Sequence, residues 1–165
     1  MDLDSFNALD RDAARSAMRS CVDIDRWIDA IVDGRPYSDV EEALVAGRLA
    51  ADPWTGTEID GALAQHPRIG DRARGASAEA AFSRSEQAGV DVTDSDVQTA
   101  LVAGNHAYEQ RFGRVFLIRA AGRDSREILD ALNARLPHSP DQEIAVVAEQ
   151  LREIAVLRLE GVLNS

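Results

Sequence analysis

The sequence predicts an all-α fold, a single-domain helical bundle of about eight helices over residues 1–165 with essentially no sheet. Three observations predict it. Hydrophobic residues make up 45% of the chain but aromatic ones only 5%, with abundant alanine and few β-branched runs, a composition that favours helix. Capping residues recur just ahead of apolar residues spaced by three and four. Glycine and proline then close most of these segments, and no internal repeat, linker or low-complexity stretch divides the chain.

In chain order, Asp10 caps a helix that turns Leu9, Ala13, Ala14, Ala17, Met18 and Cys21 inward. Trp27, Ile28, Ile31 and Val32 form the stripe of a second, ending at Gly34 ahead of Arg35-Pro36. Ser38 and Glu41 have capping-box spacing for a helix through Val40, Ala43, Leu44 and Gly47 that closes near Asp52-Pro53-Trp54. Thr55 and Glu58 repeat that spacing ahead of Ile59, Ala62, Leu63 and His66, which fall on one helical face. Pro67 disfavours helical dihedrals at His66, so the imidazole is expected at a helix end, facing the interior. A histidine held there titrates near neutrality and suits proton transfer. A lone histidine on an apolar stripe is more often a core residue satisfied by a carbonyl.

Asp71-Arg72-Ala73-Arg74-Gly75 is polar and glycine-flanked, a loop beside the histidine, and Ser77 is placed to cap the next segment. The stretch Ser83-Arg84-Ser85-Glu86-Gln87-Ala88-Gly89 carries side chains able to pair with an amide or urea group. Ser83 with Glu86 is equally a capping box on a solvated surface. Thr93 and Asp96 open a long helix in which Val97, Leu101, Asn105, Tyr108 and Phe112 share a face, so Asn105 and Tyr108 need partners, expected from the protein itself. Gly113 ends it. Val115-Phe116-Leu117-Ile118 is expected extended and buried, and the small residues of Arg119-Ala120-Ala121-Gly122-Arg123 let a ligand approach the backbone. Asp124 and Glu127 open a helix through Ile128, Leu129, Leu132 and Leu136 that stops before Pro137. Ser139-Pro140-Asp141-Gln142 starts the last helix, whose stripe of Ile144, Val147, Leu151 and Ile154 continues to Arg158. That guanidinium needs an anion, unless it snorkels to the surface or pairs with an acid of another helix.

Charge narrows the function. The net charge is −11 and all 18 basic residues are arginine, so no lysine is present for Schiff-base chemistry and no arginine run offsets the acidic field for nucleic acid. Cys21 alone cannot form an internal disulfide, and neither a secretory leader nor an apolar stretch of membrane-spanning length is visible, which makes a cytoplasmic protein without membrane contact the default. The closing Leu163-Asn164-Ser165 is not a peroxisomal tripeptide. His66, His106 and His138 lack ligand-like spacing, so no metal is expected.

His66-Pro67-Arg68-Ile69-Gly70, Ser83-x-x-Glu86-Gln87, Asn105-x-x-Tyr108-x-x-Arg111-Phe112-Gly113, Phe116-Leu117-Ile118-Arg119-Ala120 and Leu157-Arg158-Leu159 together resemble one family in order and spacing. It is the 2-oxo-4-hydroxy-4-carboxy-5-ureidoimidazoline (OHCU) decarboxylase family, and the resemblance covers nearly the whole chain, leaving no residues for a fused hydroxyisourate hydrolase region. It implies an all-helical bundle that releases carbon dioxide to give S-allantoin, the last step of urate breakdown, downstream of urate oxidase and hydroxyisourate hydrolase. It also implies a cofactor-free enzyme, a small-molecule substrate and a homodimer. By the same resemblance His66 transfers protons, Pro67 shapes the pocket wall, and Glu86 fixes ring or ureido N–H groups and assists proton movement. Ser83 and Gln87, within the stretch that includes Arg84 and Ser85, complete the urea hydrogen bonds. The Ile118, Arg119, Ala120, Ala121, Gly122 strand presents backbone groups to the ring, and Arg158 or Arg119 pairs with the substrate carboxylate. Arg158 is preferred, because Arg119 stands where family members often carry other residues. The alternatives are a non-catalytic helical interaction module and a relative acting on another ureido or imidazoline compound.

Overall fold

The structure is a computed structural model that describes residues 1–64, 66–70, 78–90 and 94–165, with the backbone alone for 78–80. Among them are nine α-helices and one isolated antiparallel bridge, between Asp2 and Asn164, so the all-helical expectation holds. No described helix is long and apolar enough to cross a membrane. The chain divides into two compact units, Met1–Ala62 with Leu151–Ser165, and Leu63–Gln150.

The first unit opens with a helix the sequence pattern did not announce, α1 (Leu3–Ala8), which contributes only Phe6 to the buried set. Asp2 Oδ1 caps it by accepting the Ser5 N–H at 2.9 Å, and Asn7 ties it to Tyr37, Nδ2 donating to the Tyr37 carbonyl at 2.9 Å and Oδ1 accepting the Tyr37 N–H at 3.0 Å. The Arg35 guanidinium stands 5.1 Å from the Phe6 ring centroid and donates to the Phe6 and Leu9 carbonyls at 2.7 and 2.9 Å. α2 (Arg11–Arg19) is capped by Asp10 as expected, and α3 (Asp25–Asp33) buries Trp27, Ile28, Ile31 and Val32. Trp27 Nε1 donates at 2.8 Å to the carbonyl of Gly47 in α4 (Val40–Ala50). The cap of α4 is Asp39, not Ser38. Asp39 Oδ1 accepts the Glu42 N–H at 2.8 Å, while Glu42 Oε2 accepts the N–H and the hydroxyl of Ser38, each at 2.7 Å. Ser38 and Asp39 are both capping types, and the carboxylate gains more from the positive end of the helix than a hydroxyl does. α5 (Gly56–Leu63) has the expected reciprocal box, Glu58 N–H to Thr55 Oγ1 at 3.1 Å and Thr55 N–H to Glu58 Oε2 at 3.0 Å.

The last helix, α9 (Pro140–Leu163), contributes to this unit from Leu151 onward, with Leu151, Ile154, Ala155, Leu159 and Leu163 buried. Arg158 is only 2% exposed, so it does not snorkel to the surface.

The second unit holds α6 (Ala78–Glu86), α7 (Ser95–Phe112), α8 (Ser125–Arg135) and the start of α9. The cap of α7 is Asp94, whose Oδ1 accepts the Asp96 and Val97 N–H groups, and not Thr93, which lies outside the described residues. Val97, Leu101, Asn105 and Tyr108 are buried as the periodicity predicts, and the helix stops at Gly113 in the left-handed region at φ 71°. α8 carries the full Asp124–Glu127 capping box. α9 opens with a reciprocal pair, Gln142 N–H to Ser139 Oγ at 3.2 Å and Ser139 N–H to Gln142 Oε1 at 2.9 Å. α7 and α8 approach so closely that a Cβ on Gly104 would come 2.5 Å from Leu132 Cδ2. Ser83 and Glu86 fall in the last turn of α6, so they do not form the capping box that their spacing allows.

Phe116, Leu117 and Ile118 are buried as expected, Val115 is only half-buried and Ala120 is buried as well, and residues 115–120 form no regular strand. Side chains take the backbone groups that a neighbouring strand would have taken. Leu117 O accepts from Arg135 Nη1 at 2.7 Å, the Arg119 N–H donates to Gln150 Oε1 at 2.9 Å, and Arg119 O accepts from Arg123 Nε at 3.0 Å.

Candidate functional site

The histidine segment begins where α5 ends. The sequence put His66 on the α5 face, but the helix stops at Leu63 and the His66 N–H closes a turn onto the Leu63 carbonyl at 3.0 Å, leaving the residue half-buried. The following proline explains this, because its ring excludes helical dihedrals at His66 and lacks the N–H to extend the ladder. The next residues are each held from outside the segment. Arg68 forms a bidentate pair with Glu109, Nε to Oε1 at 2.5 Å and Nη2 to Oε2 at 2.9 Å. The Ile69 carbonyl accepts from Asn105 Nδ2 at 3.1 Å in a buried bond, so Asn105 finds its partner inside the protein as expected. Gly70, at φ 92°, donates its N–H to Gln87 Oε1 at 3.1 Å, and a Cβ there would stand 3.1 Å from Gln98 Nε2. The dihedral calls for glycine, and a side chain there would also have to displace the Gln98 amide slightly.

Gln87 thus ties the histidine segment to the end of α6. Ser83 is buried and Glu86 and Gln87 are half-buried, three and four residues on, whereas Arg84 and Ser85 are exposed. With Oε1 committed to Gly70, the NH2 end of Gln87 is the part suited to donate to a ligand carbonyl. A backbone approach joins a third segment. A Cβ on Gly89 would lie 2.6 Å from the Arg123 carbonyl, which brings the chain after α6 against the chain after Ile118. There Ile118 and Ala120 are buried, Arg119 and Ala121 half-buried, and Gly122 exposed at φ 77°. Arg119 Nη1 donates to Ala121 O at 3.2 Å, and the Arg123 N–H to Ala120 O at 3.0 Å. Much of the polar backbone here is therefore already paired inside the unit.

Three of the sequence segments consequently meet in the second unit: His66–Gly70, Ser83–Gly89 and Ile118–Arg123. Arg158 belongs to the first unit. The Asp71–Gly75 loop and the Ser77 cap lie outside the described residues. Among the described residues, no group of three or more His, Cys, Asp or Glu side chains is gathered as metal ligands would be.

Glu109 and Gln98 escaped sequence reasoning. Both line, with Arg68, Ile69, Asn105 and His106, a cleft of about 270 Å³, and Gln98 Oε1 is buried with no hydrogen-bond partner among the described residues. Glu109 sits one turn after Asn105, a position that the apolar stripe alone does not mark. The Arg68 guanidinium holds its carboxyl below the usual range against the opposing effect of burial.

A second polar cluster was also missed. Glu143, 1% exposed, accepts at Oε1 from Tyr108 Oη at 2.6 Å and from Arg135 Nε and Nη2 at 2.8 and 2.5 Å, and its Oε2 is 3.0 Å from His138 Nδ1. Burial pushes the Glu143 carboxyl up, but the hydrogen bonds from Arg135, Tyr108 and His138 outweigh it and the net shift is downward. The Tyr108 hydroxyl is pushed far up, by burial first and then by its bond to Glu143.

The family model of OHCU decarboxylase matches residues 7–160. The chain is 32% identical over 139 residues to the 2-oxo-4-hydroxy-4-carboxy-5-ureidoimidazoline decarboxylase of Amia calva, covering 82% of this chain and 78% of the relative. It is 26% identical over 160 residues to the enzyme of that name from Haloferax volcanii, covering 96% and 94%. A crystal structure of OHCU decarboxylase obtained in the presence of (S)-allantoin superposes with a TM-score of 0.70 at 22% identity, over 89% of this chain and 96% of the other, a likeness of fold.

Proposed function

The chain belongs to the OHCU decarboxylase family, and on that premise we propose that it decarboxylates 2-oxo-4-hydroxy-4-carboxy-5-ureidoimidazoline to (S)-allantoin, the closing step of urate breakdown, with His66 moving the protons. The observation that carries this function is the family match over nearly the whole chain. The meeting of the His66, Glu86 and Ile118–Arg123 segments within one unit supports the site.

Loss of carbon dioxide leaves an electron pair on carbon, and the substrate's own ring imine accepts it. The imine nitrogen takes up a proton as it accepts the pair, the hydroxyl on the reacting carbon gives up its proton as that carbon becomes a carbonyl, and a proton delivered to the ureido-bearing carbon from one face fixes the configuration. The protein's tasks are to turn the carboxylate out of the conjugated plane, to move these protons and to select the face. His66 does the proton work. Glu86 accepts from ring or ureido N–H groups and assists proton movement, while the Ser83 hydroxyl and the Gln87 NH2 group address the urea. Pro67 forms a wall beside the imidazole. Arg158 or Arg119 meets the carboxylate, and a moderate grip serves catalysis better than a tight one, because holding the leaving group too firmly stabilises the ground state. The working form is a homodimer in a reducing cytoplasm, fed by the enzymes that make and open hydroxyisourate, and the buried Cys21 has no disulfide role.

The test follows absorbance decay of the enzymatically generated intermediate with the parent protein, His66→Ala and His66→Asn. Both variants should fold and lose roughly 10²–10⁴-fold in rate. A core histidine without a chemical role predicts the reverse, with stability lost and turnover per folded molecule kept.

A further inference from the structure

We propose that Asn105, with the Arg68–Glu109 pair behind it, is a positioning device that sets His66 relative to Glu86, an inference that rests on the decarboxylase assignment of His66. The segment after His66 is held at three consecutive residues: Arg68 through its side chain, Ile69 through its carbonyl and Gly70 through its N–H. Two of the three anchors, Asn105 and Glu109, stand one helical turn apart on α7, so a single rigid helix face grips residues 68 and 69 together. The third anchor is Gln87, adjacent in sequence to Glu86. A chain of short links therefore runs from His66 through Gly70 and Gln87 to Glu86, and α7 removes the remaining freedom of the segment. The bond from Asn105 is buried, with Asn105 6% and Ile69 8% exposed, so water cannot replace it cheaply. Segments with neither helix nor sheet to fix them need such external ties to hold a side chain to the tolerance that proton transfer demands.

Neither Asn105 nor Glu109 needs to touch the substrate for this. Their effect should reach the reaction only through His66, and that separates positioning from general support of the fold. In Asn105→Leu, which keeps volume in an apolar core and removes the donor, kcat should fall about 10–100-fold with KM changed less than about threefold. Glu109→Gln, on a partly exposed side chain, serves as the variant that leaves the core intact and should lower kcat about 3–10-fold. Asn105→Gln, which retains a donor, should recover part of the loss. The decisive arm places Asn105→Leu in a His66→Ala background, where it should lower the residual rate by less than about twofold. An additive loss in that background, or an unchanged kcat in both Asn105→Leu and Glu109→Gln, overturns the positioning role. If His66→Ala itself turns over normally, the failure lies with the decarboxylase assignment of His66 instead.

Discussion

Glu143 shows how much one buried carboxylate can organise. Arg135 reaches it from the last turn of α8, Tyr108 from one turn before the end of α7 and His138 from the turn before α9, while Arg135 also lies 4.5 Å from the Phe116 ring centroid. Removing one partner of such a buried pair strands the other, so Arg135→Leu should cost about 3–5 kcal/mol in denaturant unfolding. Tyr108→Phe removes a hydrogen bond to a charged acceptor and should cost about 1.5–3 kcal/mol. The pH dependence comes from the downward shift of Glu143. Its contribution to stability is fully present above the unfolded value of 4.5 and is lost as pH falls through the lower folded value. Stability measured between neutral pH and pH 3 should therefore drop below about 4.5, and Glu143→Gln should be less stable throughout but flatter across that range. The sequence marked Tyr108 as needing a partner inside the protein, and Glu143 is that partner, but it did not mark Arg135 or Glu143 themselves. A basic residue at a helix C-terminus and an acid at an N-terminus satisfy the helix dipole without any tertiary partner, so nothing marked Arg135 and Glu143 as buried.

At the scale of the element, capping chemistry and periodicity located most of the helices. The boxes at Thr55–Glu58 and Asp124–Glu127 stand where spacing put them, and Ser139, read as the cap ahead of Pro140, closes a further reciprocal pair with Gln142. Asp124→Ala should cost about 0.5–2 kcal/mol, read by thermal unfolding. Two starts slipped by one residue, Ser38 to Asp39 and Thr93 to Asp94, because adjacent residues compete for the same role and local spacing does not rank them. α1 was missed because six residues with a single buried apolar side chain carry no period. The Ser83–Glu86 spacing misled in the other direction, since a capping box is defined only relative to a helix start and here the helix was already ending. Gly104 sits at a close approach of α7 to α8, and Gly104→Val should destabilise by about 1–3 kcal/mol because Leu132 has no exposed side to retreat to.

Across the whole molecule, composition and capping predicted the helical architecture, but the candidate site was legible only through the order of its short motifs. Each of His66, Glu86 and Asn105 has an ordinary structural explanation, and no periodicity says that residues 70 and 87 will meet. The structure supplies that meeting through Gln87, and it supplies the support of α7 through Asn105 and Glu109. Stereochemistry tests the central claim most directly, because it separates an enzyme from spontaneous decay of an unstable substrate. Circular dichroism would be recorded during urate breakdown, with urate oxidase and hydroxyisourate hydrolase in excess and this protein added or withheld. A stereospecific decarboxylase predicts faster loss of the intermediate and a lasting optical signal from (S)-allantoin. Unchanged decay to racemic allantoin with well-folded protein would contradict it.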